Sequence, residues 1–464
     1  VIIMNRIPTL RRMALAATLT GAMASVTACG DVLSVEPVTS LPQDQLITDN
    51  ATATAALNGA YDGLQSGSYY GLSALLVGDL AADNTVWTGT FQYLGEMATN
   101  RMQADNAEVT SMWTAIYQQI DRDNVLINKV PQVALVTDPV RSDVMGQAYF
   151  MRALGFHNLV KFWGGVPIPT KPIAAPSEAQ AYTRATVTEV YTQILKDLDS
   201  AQVLIRNTTN TRYATPIAAR ALRARVLFYR AGLTGNAGSA ADYQGALDAA
   251  NLVLSGRDTL TVPYADLFSA TGSNTTEDIF RVSFNATETN GISNYYLQVG
   301  RAEVAPSTSI DAAYPAGDAR KAWSIRPSGN AGRPLNGNKY AARPGTEHVH
   351  VIRLAEVILI KAEALARLNR LPEAVAAYNK VRVRAGIPVH TLGNQVTTQA
   401  DVINAIELER RLELAFEGDR WPDLNRLGKA IAVKGIADRP GQALFPIPLR
   451  DTRTSPGLVQ NTGY

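Results

Sequence analysis

Thiols are nearly missing from this 464-residue chain, which has Cys29 alone. One cysteine forms no internal disulfide, so the position of Cys29 matters more than its capacity to staple. Histidine is scarce as well: His157, His348, His350 and His390 are all there is. His348 and His350 could lie on one strand face, but no third ligand accompanies them, so no metal site is expected. Charge is thin and balanced, at 18% of residues and a net +2. A nucleic-acid partner needs a basic face and is not expected. Walker and Rossmann motifs are absent, as is Gly-x-Ser-x-Gly with a downstream His, so no cofactor is expected. A glycosidase carboxylate pair stays open, because its two acids need not be neighbours in sequence.

Other features are plentiful. Hydrophobic content is 46%, enough for a sizeable core in one large domain or two ordinary ones. Asn, Thr, Gln, Tyr and Gly give a polar, lightly charged surface. That composition suits a neutral, hydroxyl-rich ligand better than a polyanion.

Apolar runs are short. Arg6, Arg11 and Arg12 precede an uncharged stretch, 13–30, that is brief for a membrane span of about 20 apolar residues. This is the shape of a secretory signal. It ends at Val26-Thr27-Ala28-Cys29-Gly30, which resembles a bacterial lipobox. The resemblance makes 1–28 a lipoprotein signal peptide and Cys29 the lipidated residue. A type I signal with an incidental Cys is the other reading. Residues 31–42, with Pro37 and Pro42, read as an extended tether.

Beyond residue 48 the dominant period is helical. The pattern predicts a helix over 49–63, then pairs at 110–130 with 139–162, 215–232 with 242–256, and 351–369 with 372–385. A fourth pair contains 409–424. Ala221, Ala224, Ala246, Ala249 and Ala250 sit at contact spacing and let helices approach, as in tetratricopeptide repeats. An irregular helical protein is the alternative. Two stretches break the period. Residues 66–102 carry Tyr69, Tyr70, Trp87, Phe91 and Tyr93; residues 257–343 carry Tyr264, Tyr295, Tyr296, Tyr314, Trp323 and Tyr340. Long irregular stretches are commonly functional, and their aromatic content argues against disorder.

The run from Glu409 to Leu424 reads as one helix ending and another beginning. Ala405, Leu408, Leu412 and Ala415 form an apolar stripe, and Gly418 takes the left-handed position after the helix. Asp419 can cap the next helix, whose first turn tolerates Pro422. The junction's charges read as a solvated face of weak ion pairs. The same run resembles the C-terminal signature of the SusD/RagB family, E-R-x-x-E-L-x-x-E-G-x-R-x-x-D-L. Glu409, Arg410, Glu413, Leu414, Glu417, Gly418, Arg420, Asp423 and Leu424 match it in register, while Pro422 stands where an aromatic is common. Residues 162–167, 445–448 and 458–464 resemble three further motifs of the family, with Thr462 replacing a common Pro.

The resemblance implies an all-α fold with irregular loops, short strands and tetratricopeptide-type helix pairs. It implies a single domain over 29–464: a helical half (29–256), an irregular ligand-side segment (257–343) and a signature part (344–464). It also implies an outer-membrane lipoprotein, on the external face, that captures a nutrient beside a SusC-like TonB-dependent transporter. The signature residues are then structural, and no catalytic residue is assigned. The ligand, an oligosaccharide or another nutrient, would lie on a shallow aromatic surface. Candidates are Asn84, Trp87, Tyr93, Tyr295, Tyr296 and Trp323, with Asp83 and Arg301 as polar partners. A protein-binding tetratricopeptide scaffold and a surface glycan hydrolase are the competing readings.

Overall fold

The first helix opens on a reciprocal cap. The Asp49 carboxylate accepts the Thr52 N–H at 2.8 Å, and Thr52 Oγ1 accepts the Asp49 N–H at 2.9 Å. The computed structural model describes residues 46–233, 238–269 and 275–464. Residues 1–28, expected from the sequence to be a signal peptide, and Cys29 lie outside the described residues, and 49–464 form one unit.

The principal helices are α1 (Asn50–Leu64), α2 (Ser73–Leu80), α3 (Gln92–Ala98), α4 (Ala107–Lys129), α5 (Asp138–Trp163) and α6 (Val187–Leu204). They continue as α7 (Pro216–Gly232), α8 (Ala240–Leu254), α9 (Leu354–Arg367), α10 (Leu371–Arg384), α11 (Gln399–Glu413) and α12 (Arg420–Arg426). From α4 to α10 each helix packs on the next, and α11 closes against α9 and α10. This serial stacking is the arrangement of a helical-repeat array. Small residues make it possible: Ala218, Ala221 and Ala224 of α7 are buried beside Ala246, Ala249 and Ala250 of α8.

Helix α6 is not anticipated by the pattern reading. It has its own capping box between Thr186 and Glu189 and buries Val190, Tyr191, Ile194 and Leu198. A fork from Arg152 of α5 onto Asp197, at 2.8 and 2.6 Å, holds it to its neighbour. The stretch 66–102 is also less irregular than expected, since it contains α2 and α3, and every residue of α2 is buried.

Strands are few and short. β1 (Thr85–Trp87) pairs antiparallel with β3 (Val304–Pro306), β2 (Asp278–Val282) with β6 (Val349–Arg353), and β4 (Ile325–Asn330) with β5 (Arg333–Gly337). In the first ribbon Val86 faces Ala305, which brings the two aromatic-rich stretches together.

The signature run departs most from its sequence reading. Leu408 is 38% exposed, whereas Glu409, Arg410 and Glu413 are almost wholly buried. The junction is an internal ionic network, not a solvated face. Glu413 accepts from Arg353 and Arg384, and from Arg320 at 3.3 Å. Glu417 accepts from Arg353 at 2.9 Å and from Lys339 at 2.8 Å. Arg426 bridges Asp423 and Glu363, each at 2.7 Å. Burying such charges costs several kcal/mol per ion unless each finds partners, as these do. Asp419 makes no cap bond to α12; its carboxylate instead accepts from Arg410 and the Tyr229 hydroxyl. Gly418 has φ +81°, as expected, and lies so close to α2 that a Cβ would sit 2.1 Å from the Ala74 carbonyl oxygen.

The three remaining motifs converge. Trp163 Nε1 donates to the Pro446 carbonyl at 2.9 Å, and the Phe445 N–H donates to Phe162 at 2.8 Å. Asn461 Nδ2 donates to the carbonyls of Trp163 (3.0 Å) and Phe445 (2.7 Å). Among the described residues no helix is long and apolar enough to cross a membrane.

Candidate functional site

Where β1 and β3 end, a buried acid shapes an exposed loop. Glu303 is 1% exposed. Its carbonyl accepts the N–H groups of Thr88 (2.9 Å) and Gly89 (3.1 Å). Its carboxylate accepts those of Thr90 (2.8 Å) and Phe91 (3.0 Å). A Cβ at Gly89 would lie 2.0 Å from Glu303 Oε2, so the wrap requires glycine there.

This loop delivers Phe91 to the start of α3. Its ring stacks on Tyr93 with centroids 5.2 Å apart and planes 18° apart. Tyr295, from the short helix Ile292–Tyr296, leans against Phe91 at 6.3 Å. The Arg301 guanidinium carbon lies 4.0 Å from the Phe91 centroid, within cation–π range. All four side chains belong to half-buried or exposed residues. Burial, then the neighbouring Tyr295 and Glu108, push the Tyr93 phenol well above its ordinary value. Burial and Glu108 raise Tyr295 too. Both therefore present neutral hydroxyls.

Tyr93, Tyr295 and Arg301 are thus brought together, and the other candidates are not. Asn84 is 1% exposed; it donates to Asp79 at 2.7 Å and accepts from Arg411 at 2.9 Å. Asp83 pairs with Arg420 (2.8 Å) and Arg411 (3.0 Å). Burial pushes Asp83 up, but the Arg420 hydrogen bond and the two arginine charges hold it below the usual carboxylate range. Both residues buttress the signature network. Trp87 is half-buried and packs on α3, where a Cβ at Gly95 would lie 2.9 Å from its ring. Tyr296 is core: 3% exposed, edge-on to Phe416 at 5.6 Å. Trp323 is exposed on the helix Ala319–Ser324 and, among the described residues, stacks on none of these rings. Phe91 and Glu303 are the residues that the candidate set omits. Phe91 is visible only as one aromatic among many, and Glu303 only through strand pairing.

A roomier cleft, of about 650 Å³, lies between α4, the segment 167–182 and the segment 450–458. Trp113, Tyr117 and Tyr182 line it. Some of its polar groups are spent on its own walls, while the side chains of Gln118, Arg122 and Gln180 and the Tyr182 hydroxyl make no hydrogen bond or ion pair with a described residue. Tyr117 donates to Pro167 at 2.9 Å, Asp121 accepts from Ile173 at 2.9 Å, and Arg450 donates to Asp451 at 2.8 Å. None of the candidate residues lines it.

The histidine pair is used by the fold. His350 meets Asp278 at 2.7 Å and the Leu267 carbonyl at 2.6 Å, while His348 Nδ1 accepts the Phe284 N–H at 3.0 Å. Among the described residues no group of His, Cys, Asp and Glu is placed to hold a metal ion.

Comparison with known proteins places this geometry. A SusD-like family model described as starch-binding and associating with the outer membrane matches residues 31–228, and the SusD family model matches 330–443. A SusD-like protein of Formosa agariphila is 26% identical, with 94% of this chain and 96% of the relative covered. A second from that organism is 27% identical, covering 94% and 97%. Among solved structures, a SusD superfamily protein of Parabacteroides distasonis superposes with a TM-score of 0.78 at 21% identity, over 90% of this chain and 100% of that one. A laminarin-binding SusD-like protein does so with a TM-score of 0.74 at 24% identity, over 90% and 100%. Matched at both ends by its family models and along its length by relatives and folds of one kind, the chain belongs to the SusD/RagB family.

Proposed function

We propose that this protein is a non-enzymatic outer-membrane lipoprotein that captures an oligosaccharide at the cell surface and passes it to a SusC-like TonB-dependent transporter. The observation that carries the reading is the partly exposed cluster of half-buried Phe91, Tyr93 and Tyr295 with exposed Arg301, assembled by the β1–β3 ribbon. Aromatic faces offer apolar area to sugar C–H groups, and a few polar groups beside them fix orientation. The laminarin-binding relative of the same fold supports a glycan as ligand. Acylation of Cys29 would supply the anchor, since several acyl chains hold where one is marginal. The helical array would then move as a rigid body over the transporter. Glu303 is a poor hydrolytic acid, because loop amides already occupy its carboxylate.

A protein-binding scaffold is the second reading, favoured by the serial helices and the 650 Å³ cleft. Titrating the mature protein with a glycan panel, and asking whether a barrel transporter co-purifies from membranes, separates the two. Glycan binding with a barrel partner supports capture. A protein partner with no glycan binding supports the scaffold.

A further inference from the structure

The charges around the aromatic cluster are lopsided. Arg301 is exposed, and the carboxylate nearest to it, Glu303, is 3.9 Å away and already bonded to the Thr90 and Phe91 N–H groups. Arg343 is exposed too and makes no hydrogen bond or ion pair with any described residue. It lies on the same turn: a Cβ at Gly300 would sit 2.7 Å from Arg343 Nη1. That turn is closed by the Arg301 N–H donating to Asn294 at 2.7 Å, next to Tyr295. Below it Arg333, 7% exposed, donates only to neutral acceptors, among them Tyr296 O at 2.7 Å and Thr88 Oγ1 at 3.2 Å. Two further acids lie nearby, Glu96 half-buried and Glu108 in contact with buried Ser73. Glu96 accepts from Asn106 at 2.7 Å and from Gln103 at 3.2 Å, while Glu108 accepts from Ser73.

We infer that this face selects an acidic glycan, one whose sugars carry carboxylate or sulfate groups. The inference rests on the capture site proposed above and gives its ligand a charge. Two exposed guanidinium groups, Arg343 without a partner among the described residues and Arg301 seated on the Phe91 ring with Glu303 at 3.9 Å, match a sugar that is apolar on one face and anionic at its rim, since arginine recognises carboxylates and tetrahedral oxyanions with charge-assisted, often paired, hydrogen bonds. The chain is only +2 overall, so positive charge gathered here is not a by-product of a basic protein. This reverses the preference for a neutral ligand that composition suggests.

The test measures binding of the mature protein to polygalacturonate, a sulfated carrageenan and neutral laminarin, for the unmodified chain, for R301Q/R343Q and for R370Q, an exposed arginine at the start of α10. The expected result is salt-sensitive binding of a charged polymer, weakened about tenfold or more in R301Q/R343Q and unchanged in R370Q. Whichever charged polymer binds tells carboxylate from sulfate. Binding of laminarin alone, or equal weakening by R370Q, overturns the acidic assignment and leaves the capture site standing. Binding of none of the three overturns both.

Discussion

Glu413 shows what a single side chain does in the signature network. It is fully buried, and three guanidinium groups converge on it from Arg353, Arg384 and Arg320. Burial pushes its carboxyl up, but Arg384, Arg353 and Arg320 outweigh this and hold it well below the usual range. Glu413→Gln leaves three arginines short of a charge and should cost about 3–5 kcal/mol, read from the urea midpoint. Because the folded pKa is depressed, this stabilisation is complete above the ordinary glutamate value of 4.5 and is lost as pH falls toward the folded one. Stability should therefore drop on acidification below about pH 4.5, less steeply in the variant. His350 works in the opposite direction. Burial lowers its pKa, but the Asp278 hydrogen bond and charge raise it above 6.5. Its contribution is full below pH 6.5 and disappears as pH rises through the raised value. Melting temperature should fall from pH 6 toward pH 9 (about that range), and His350→Gln should flatten the slope. An unchanged slope would rule out His350 as the titrating group.

At the scale of elements, the junction between α11 and α12 depends on a close approach. Gly418 and Gly317 share φ +81°, yet only Gly418 has backbone against it, with Ala74 O 2.1 Å from a would-be Cβ; Gly317 has open space. Gly317→Ala should cost about 1–2 kcal/mol from the left-handed conformation alone. Gly418→Ala should cost distinctly more, because α2 must shift. Equal midpoints in denaturant would show that the contact is not tight. Sequence reading reaches such a helix end because glycine is a local signal. It reaches α7 for the same reason, through Thr215 followed by Pro216. Helix α6 carries a Thr186–Glu189 capping box as well, a local signal that a search for apolar periodicity passes over. Burial of Glu409 and Glu413 is different in kind. Charges at helical spacing look alike on a wet face and in a dry one, and only the partners brought in by β6 and α10 decide.

On the scale of the whole molecule, the helical array was legible and the ligand face only partly so. Periodicity and small residues announce stacked helices, but no period tells Tyr295 from Tyr296 on a helix of one turn. The first faces Phe91 and the second lies in the core against Phe416. The account's central claim is that the face built by the β1–β3 ribbon holds the ligand. The most direct measurement is the affinity of Phe91→Ala/Tyr295→Ala for the tightest-binding glycan, beside Trp323→Ala and the cleft variant Tyr182→Ala, all folded by circular dichroism. The account predicts a loss of about tenfold or more in the double variant and none in the other two. Full affinity in the double variant, with loss in Tyr182→Ala, would contradict it and move the site to the cleft.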